Sequence, residues 1–528
     1  MSQLKIKACN LILKEHFGTV VAAVGGSLLK VSSRSLPQLL KSTDLPASKV
    51  KKALMVLIHH NIVDFRLHPK GYVEYLIDAD RVLYMLRYPR YTHCAKTLYG
   101  DTGELIVEEL LQNGRMCMSA VLRKVLGRLQ GDYRLPAVQS EFINFTNAHY
   151  ALRLPPSWPQ NPDVCDTWVP LNASSQGQVR TMPPEESVPS QEPVPPEVHL
   201  QLLTVAAEDE DQEGPPSKKS RVEGQPDEGI YWRVNFERFH LFFRDQLLVQ
   251  AASRRLGLKA GEVVRTLLRL AETRTHPKAA QSCPVSKQEV HQQLHKEISL
   301  SQKELDSFLS LLVEDPLRLV RRSDERGGMF GVDLHRGLRV LAEAFFASTV
   351  QDRFGAKSCR IFRLLLSKRY LEQKQIEELA MIPARDAKEM TYKMFQEKFL
   401  AAHELPRTPD YAPSRMIYLF HVDLPQLSRQ MLEWCCQAVC NLVLRREHIC
   451  QEHRRLLDKK QRVDLILASM EHNKASPEQV HEVKEMITPP ERKQLAYVKH
   501  VSSKMELSEV QLDETMLLLQ LYISSLLK

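Results

Sequence analysis

Arg87-Tyr88-Pro89-Arg90-Tyr91 alternates guanidinium groups with aromatic rings, the combination of charge and stacking surface by which proteins hold single-stranded nucleic acid. The same five residues would also serve as a packed joint between two modules, and residue type alone leaves both readings open. A second basic group sits on an expected helix. A turn of about 100° per residue points Val50, Leu54, Leu57 and Ile58 inward and leaves Lys49, Lys52, Met55, Val56 and His59 outward. Lys49 and Lys52, with Lys70 in the turn that follows, are placed to meet phosphates, although Met55 and Val56 on the same face favour protein docking over groove reading. Arg360, Arg363, Lys368 and Arg369 read either as a further basic surface or as a solvated face.

No catalytic constellation accompanies these cations. Val24-Gly25-Gly26-Ser27 lacks the Lys-Ser/Thr that completes a phosphate-binding loop, no Gly-x-Ser-x-Gly occurs, and His481-Glu482 has no second histidine three residues on. Cys435, Cys436, Cys440, His448, Cys450 and His453 form the best metal candidate. On one continuous helix, however, Cys435 and Cys450 stand about 22 Å apart, far beyond ligands that share a tetrahedral ion at roughly 2.0–2.3 Å. The expectation is a chain with no catalytic residues, no cofactor and no metal.

The elements that carry these residues recur. Pro46, Val50, Ala53, Leu57, Ile58, Ile62 and Val63 align without gaps over Pro383, Ala387, Met390, Met394, Phe395, Phe399 and Leu400, and a third copy runs Leu305, Phe308, Leu312, Val313 and Leu317. Behind each helix comes a hairpin. Asn61 to Leu67 alternates, His68-Pro69-Lys70-Gly71 turns, and Tyr72 to Ile77 returns. The third copy turns at Asp324-Glu325-Arg326-Gly327-Gly328, and the Pro383 copy turns through a long Pro-rich segment before Met416 to Val422. Helices followed by a β-hairpin describe a winged helix, a fold that docks on nucleic acid or on protein.

The chain has 528 residues, enough for several domains, with 43% hydrophobic and 7% aromatic residues. No uninterrupted apolar stretch approaches the roughly 20 residues that span a bilayer, so no membrane association is expected. Ten cysteines without a paired framework fit reduced thiols in cytosol or nucleus. Residues 155–228 carry 4 basic and 14 acidic residues with 14 of the 30 prolines, a net −10, so the rest of the chain carries +18 against a whole-chain net of +8. Such a segment is expected as a disordered insertion. The folded remainder is the basic part, the footprint of a polyanion partner or of a solvated surface.

A second module is expected from helices over 102–111, 118–129 and 137–154, its wing poorly marked, after a linking helix at 81–87. Residues 231–274 read as strongly helical and enlarge the third module. Beyond Leu427, Leu442, Ile449, Leu456, Val463 and Met470 recur at sevens, predicting a helix of roughly 45 residues, about 65 Å long. Leu512, Met516, Leu519, Ile523 and Leu526 then form a returning helix, packed on the first as a hairpin or awaiting a partner chain. The expected fold is mainly α with small β-hairpin wings: four tandem winged helices and a C-terminal antiparallel coiled coil. The boundaries are 1–80, 81–154, the insertion 155–228, an enlarged module 229–347, then 348–427 and the coiled coil 428–528.

Specific segments also resemble a known family. Leu86-Arg87-Tyr88-Pro89-Arg90-Tyr91, Lys96 to Leu105, Glu108-Glu109-Leu110-Leu111, Gly229-Ile230-Tyr231-Trp232, Glu372-Gln373-Lys374-Gln375, Ala380 to Ala384, Thr408-Pro409-Asp410 and Ala412 to Arg415 closely resemble the winged-helix subunits that are the largest members of the RNA polymerase III-specific heterotrimer. These are similar in turn to the large subunit of general transcription factor IIE. The resemblance implies four winged helices and a coiled coil, a seat on the polymerase clamp beside two further specific subunits, and contact with promoter or single-stranded DNA. It also implies a role in promoter opening and initiation at tRNA, 5S ribosomal RNA and other small RNA genes. A nuclear location follows, with some cytoplasmic pool and a link to cytosolic DNA sensing in innate immunity. Catalysis would belong to the two largest polymerase subunits, whose Mg²⁺-binding aspartate motif is absent here. The insertion departs from the family in keeping only Lys218-Lys219-Ser220-Arg221 as a basic run. Two alternatives stand beside this reading. One is a stand-alone DNA-reading regulator, which the scarcity of Arg, Asn and Gln on the third helices opposes; the other is a winged-helix protein scaffold of another nuclear assembly.

Overall fold

Corresponding stretches of the first and fourth modules fold alike because they carry the same signals in the same register. Helix Leu36–Thr43 starts on a capping box, in which Gln38 Oε1 accepts from the Ser35 N–H at 3.0 Å. It ends at Asp44 in the left-handed region (φ 51°), and Ala47–His59 follows behind Pro46. A shift of 337 residues reproduces all of this: Gln373–Ala380 with its box from Glu372 and Gln375, Met381 at φ 53°, and Ala384–Gln396 behind Pro383. The computed structural model describes residues 2–31, 33–129, 135–154, 227, 230–297, 300–323, 328–406, 416–472 and 477–526. The expected insertion with its Lys218-Lys219-Ser220-Arg221 run lies outside the described residues except for Asp227, as do Gly229 and the wing turns at 324–327 and 407–415.

Each module closes with a small antiparallel sheet whose middle strand is the last in sequence. In the first, Val73–Ile77 lies between Arg34–Ser35 and Val63–Leu67; in the third, Met329–Val332 lies between Val285–Ser286 and Val320–Arg322; in the fourth, Met416–His421 lies between Leu371–Glu372 and Ala401–Pro406. The second module repeats the arrangement across the insertion. Ala151–Arg153 pairs with Trp232–Val234, and Met116 bridges Trp232 on the other side. Two expectations are corrected here. Residues 137–154 are not one helix but the helix Leu135–Asn147 and a strand, separated at His149 (φ 61°). The start of the 231–274 region is strand rather than helix, and it completes the second wing instead of opening the third module; the helices Phe236–Leu256 and Leu258–Ala271 follow. A three-residue strand whose partner lies some eighty positions away leaves no local period to read.

A feature that sequence reading missed recurs in all four modules. Gly18, Gly100, Gly257 and Gly355 have φ between 68° and 93° with ψ close to 180°, a region only glycine occupies without strain. Each breaks the backbone immediately before the module's first core helix. Gly18 divides Gln3–Lys30, the one described helix apolar enough by composition to cross a bilayer, and Ile12, Leu13, Val24 and Leu28 on its two parts are buried.

The chain forms two compact units, residues 1–239 with 439–510 and residues 240–438 with 511–528. In the second unit, the core of the third module is built from Val263, Leu267, Leu305, Leu309, Val320 and Phe330, and that of the fourth from Phe346, Phe362, Met394 and Phe399, joined by Leu519 and Tyr522. The C-terminal region comprises Leu424–Glu452, Arg454–His472, Pro477–Glu485 and Pro489–Leu526, so the long helix expected across 442–470 is interrupted at His453. Within the first unit the helices run antiparallel. Ile449 packs with Val498 and Met505, Lys459 Nζ pairs with Glu491 at 2.8 Å, and Arg446 Nη1 donates to Glu509 Oε2 at 2.7 Å. The returning helix is therefore supplied by the same chain. Arg446 also forks onto both oxygens of Glu15 at 2.8 Å, tying the hairpin to the first module through the planar geometry that only arginine offers.

Candidate nucleic-acid interface

The Arg-Tyr run lies at the start of the second module, where a short turn of helix Tyr84–Arg87 passes into Tyr88–Asn113. Its aromatic rings face inward. Tyr91 is fully buried, with ring centroids 5.4 Å from Phe236 and 5.0 Å from Phe239, and Tyr88 stacks on Phe236 at 6.2 Å. Burial pushes the Tyr88 phenol above its ordinary range. Arg87 is also buried, its guanidinium 5.2 Å from the Tyr84 ring, while Arg90 is half-buried and engaged. The expectation that Arg87 and Tyr91 hold nucleic acid is corrected: neither presents a face to solvent. The joint reading describes the packing, because Phe236 and Phe239 follow directly on the strand that completes the second wing.

The third helix of the first module, Ala47–His59, is amphipathic as expected: Val50, Ala53, Leu54 and Leu57 are buried and Lys49 and Lys52 exposed. Lys70 is exposed in the wing turn. Ile58 is half-buried rather than core, and Met55, Val56 and His59 are half-buried rather than outward. For His59 the cause is the second module. Arg115 Nε donates to His59 Nδ1 at 3.2 Å, and Gly114 approaches so closely that an added Cβ would clash with the His59 carbonyl. Burial, reinforced by Arg115, lowers His59 from 6.5 to about 4; burial, with His59 and Arg115, does the same to His60.

The fourth module carries the more open face. On Ala384–Gln396, Arg385, Lys388, Tyr392 and Gln396 recur at three- and four-residue steps, so they share one side of the helix, and all are exposed, Tyr392 by 66%. Among the described residues neither Arg385 nor Lys388 forms a salt bridge, although, after Lys393, Arg385 adds to the lowering of the Glu389 carboxyl. The neighbouring charges are spent differently: Lys393 pairs with Glu389 at 2.7 Å and holds its carboxyl below the usual range, and Asp386 meets Lys357 at 3.3 Å. Met381, 86% exposed, stands at the turn before this helix. Sequence reasoning aligned this helix with its counterpart for its core positions and passed over the outward stripe, whose signal was the Arg-x-x-Lys-x-x-x-Tyr spacing. Cys435, Cys436 and Cys440 are buried, Cys435 pushed up to about 12 by burial, and Cys450 is exposed. Among the described residues no three His, Cys, Asp or Glu side chains converge to hold a metal.

Comparison with known proteins identifies the family. The helix-turn-helix domain of RNA polymerase III subunit RPC82 matches residues 7–68, RNA polymerase III subunit RPC82 matches 185–341, the POLR3C C-terminal winged-helix domain matches 346–422, and the helical hairpin domain of DNA-directed RNA polymerase III subunit RPC3 matches 455–518. DNA-directed RNA polymerase III subunit RPC3 of Mus musculus is 44% identical over the full length of both chains, and that of Homo sapiens 41% over the full length of both. The chain belongs to the RPC3 family.

Among more distant RPC3 proteins, that of Dictyostelium discoideum is 25% identical over 44% of this chain and 37% of its own length. The matches to RPC3-family winged-helix and hairpin domains agree with the mainly helical fold and its small sheets. The stripe Arg385, Lys388 and Tyr392 falls inside the segment matched by the C-terminal winged-helix domain.

Proposed function

We propose that this chain acts in transcription initiation, holding DNA as it opens at tRNA, 5S ribosomal RNA and other small RNA genes. As an RPC3-family member it is a non-catalytic subunit of DNA-directed RNA polymerase III, its partners are other subunits of that enzyme, and its location is nuclear. The proposal reaches further, to a seat on the clamp of the largest subunit beside two other polymerase III-specific subunits. It includes the division into modules given above, amended so that 230–234 completes the second wing.

The observation that carries DNA contact is the exposed stripe of Arg385, Lys388 and Tyr392 on the fourth module's third helix, whose two cations form no salt bridge among the described residues. Two cations meet phosphates, and a tyrosine ring offers a sequence-tolerant stacking surface for a base that has left the duplex. Lys49, Lys52 and Lys70, exposed on the first module, add phosphate contacts of the same kind. Contacts that read backbone and base faces discriminate little between sequences. The proposal therefore extends to foreign DNA sensed in the cytosol, a role that requires a cytoplasmic pool of the chain.

Fluorescence anisotropy of the full chain with a single-stranded oligonucleotide tests it. Arg385→Ala with Lys388→Ala should reduce the salt slope by roughly 1.4, two phosphates at about 0.7 each, and Tyr392→Ala should weaken binding by about 1–3 kcal/mol. Unchanged affinity and slope in folded variants would remove DNA from this face.

A further inference from the structure

Within the first unit, His16 and Phe17 of the first helix, His60 behind the third helix, and the helix Tyr88–Asn113 of the second module line an open cavity of about 560 Å³. That is the size of a small-ligand site. The rings of Phe17 and Tyr88 line it, and its only charged groups are the carboxylates of Glu104 and Glu108. In a chain with 72 lysines and arginines, none lines this cavity. We propose that the cavity receives the arginine side chain of a protein partner, the guanidinium stacking on the aromatic walls and donating to the two glutamates.

The chemistry selects this occupant on three counts. A guanidinium is flat, weakly hydrated and always charged, so it satisfies an aromatic face and a carboxylate at once, whereas the phosphates of nucleic acid would find no lysine or arginine in the lining. Lys96 contacts Glu104 at 2.6 Å and Arg128 contacts Glu108 at 2.9 Å from outside the lining, and Gln112 of the lining donates to Glu108 Oε1 at 2.9 Å. Each carboxylate has about four acceptor positions, so both retain capacity toward the cavity. His60 and His16 are the imidazoles of the lining, and burial, the largest influence on each, lowers both, while burial keeps the Tyr88 phenol protonated by raising it. Neutral imidazoles at physiological pH do not repel an entering cation. The inference is independent of the DNA stripe on the fourth module.

Ligand-observed NMR on the full chain, with Nα-acetylarginine amide and its neutral isostere Nα-acetylcitrulline amide as probes, tests it. The arginine probe should bind with a dissociation constant of about 1 mM, and the citrulline probe roughly tenfold more weakly, equivalent to about 1.4 kcal/mol. Glu104→Gln should weaken the arginine probe roughly threefold. Thr92, another lining residue, hydrogen-bonds only to the backbone of its own helix through its hydroxyl, so Thr92→Arg should fold normally and abolish binding by filling the cavity with its own guanidinium. Should Glu104→Gln fail to fold, the two-probe comparison and the Thr92→Arg variant still decide. No saturable binding, equal affinity for the two probes, or binding undiminished in Thr92→Arg would overturn the proposal.

Discussion

Replacing Tyr91 with alanine separates a joint residue from a DNA-stacking residue. Tyr91 is 0% exposed and contacts Tyr88, Phe236 and Phe239 at centroid distances of 6.3, 5.4 and 5.0 Å. A ring of this kind buries about 150–250 Å², which at about 25 cal/mol per Å² is worth roughly 4–6 kcal/mol. Measured truncations of large aromatic side chains cost about 3–5 kcal/mol, the value expected here. Since the chain has two compact units, one unfolding midpoint does not report this site. Hydrogen exchange does: amides in 88–113 and 232–239 should exchange faster by roughly two to three powers of ten, each power corresponding to about 1.4 kcal/mol. Single-stranded DNA affinity, measured where the variant remains folded, should not change. An unaltered exchange pattern with weakened DNA binding would refute the reasoning, because it would mean the ring reaches solvent and stacks on a base.

Four further outcomes follow from the same structure. Asp227 accepts from the Ser119 backbone N–H at 2.7 Å and from its hydroxyl at 2.6 Å at the start of helix Met118–Arg128, so Asp227→Ala should destabilise the second module by about 1–3 kcal/mol. Deleting 160–225 should leave the melting temperature nearly unchanged, since Leu154 N–H donates to the Tyr231 carbonyl at 2.9 Å and the ends of the segment already meet; a drop of many degrees would contradict this. His59 and His60 titrate near 4 when folded and near 6.5 when unfolded, so the unfolded chain binds more protons between those values. Stability is therefore full above about pH 6.5 and falls as pH drops toward 4. Denaturation at pH 5 and 7.5 should show a smaller loss for His59→Asn with His60→Asn than for the natural sequence, and an equal loss would count against it. Gly355→Ala should cost about 1–3 kcal/mol from backbone strain alone, as nothing lies within 4 Å of the added Cβ, whereas Gly127→Ala on an open helix face should not destabilise. Unaltered hydrogen exchange across 356–368 in Gly355→Ala would disprove that account.

What the sequence by itself determined is whatever a local signal encodes. The capping residues Ser35 and Glu372, the prolines at 46 and 383, and the inward positions Val50, Leu57, Ala387 and Met394 placed the helices of two modules in one register, because caps and helical periodicity act within a few residues. The winged-helix class and the returning C-terminal helix were legible for the same reason. Tertiary structure decided the rest. Arg87 and Tyr91 carry residue types suited either to a nucleic-acid face or to an aromatic core; Tyr91 packs on Phe236 and Phe239, about 150 positions along the chain, and Arg87 is buried beside the Tyr84 ring. The second wing pairs Ala151–Arg153 with Trp232–Val234 across the insertion, and His59 loses its outward aspect to Gly114 and Arg115. Pairing and burial between distant segments depend on which surfaces the fold brings together, a quantity no short window of residues contains.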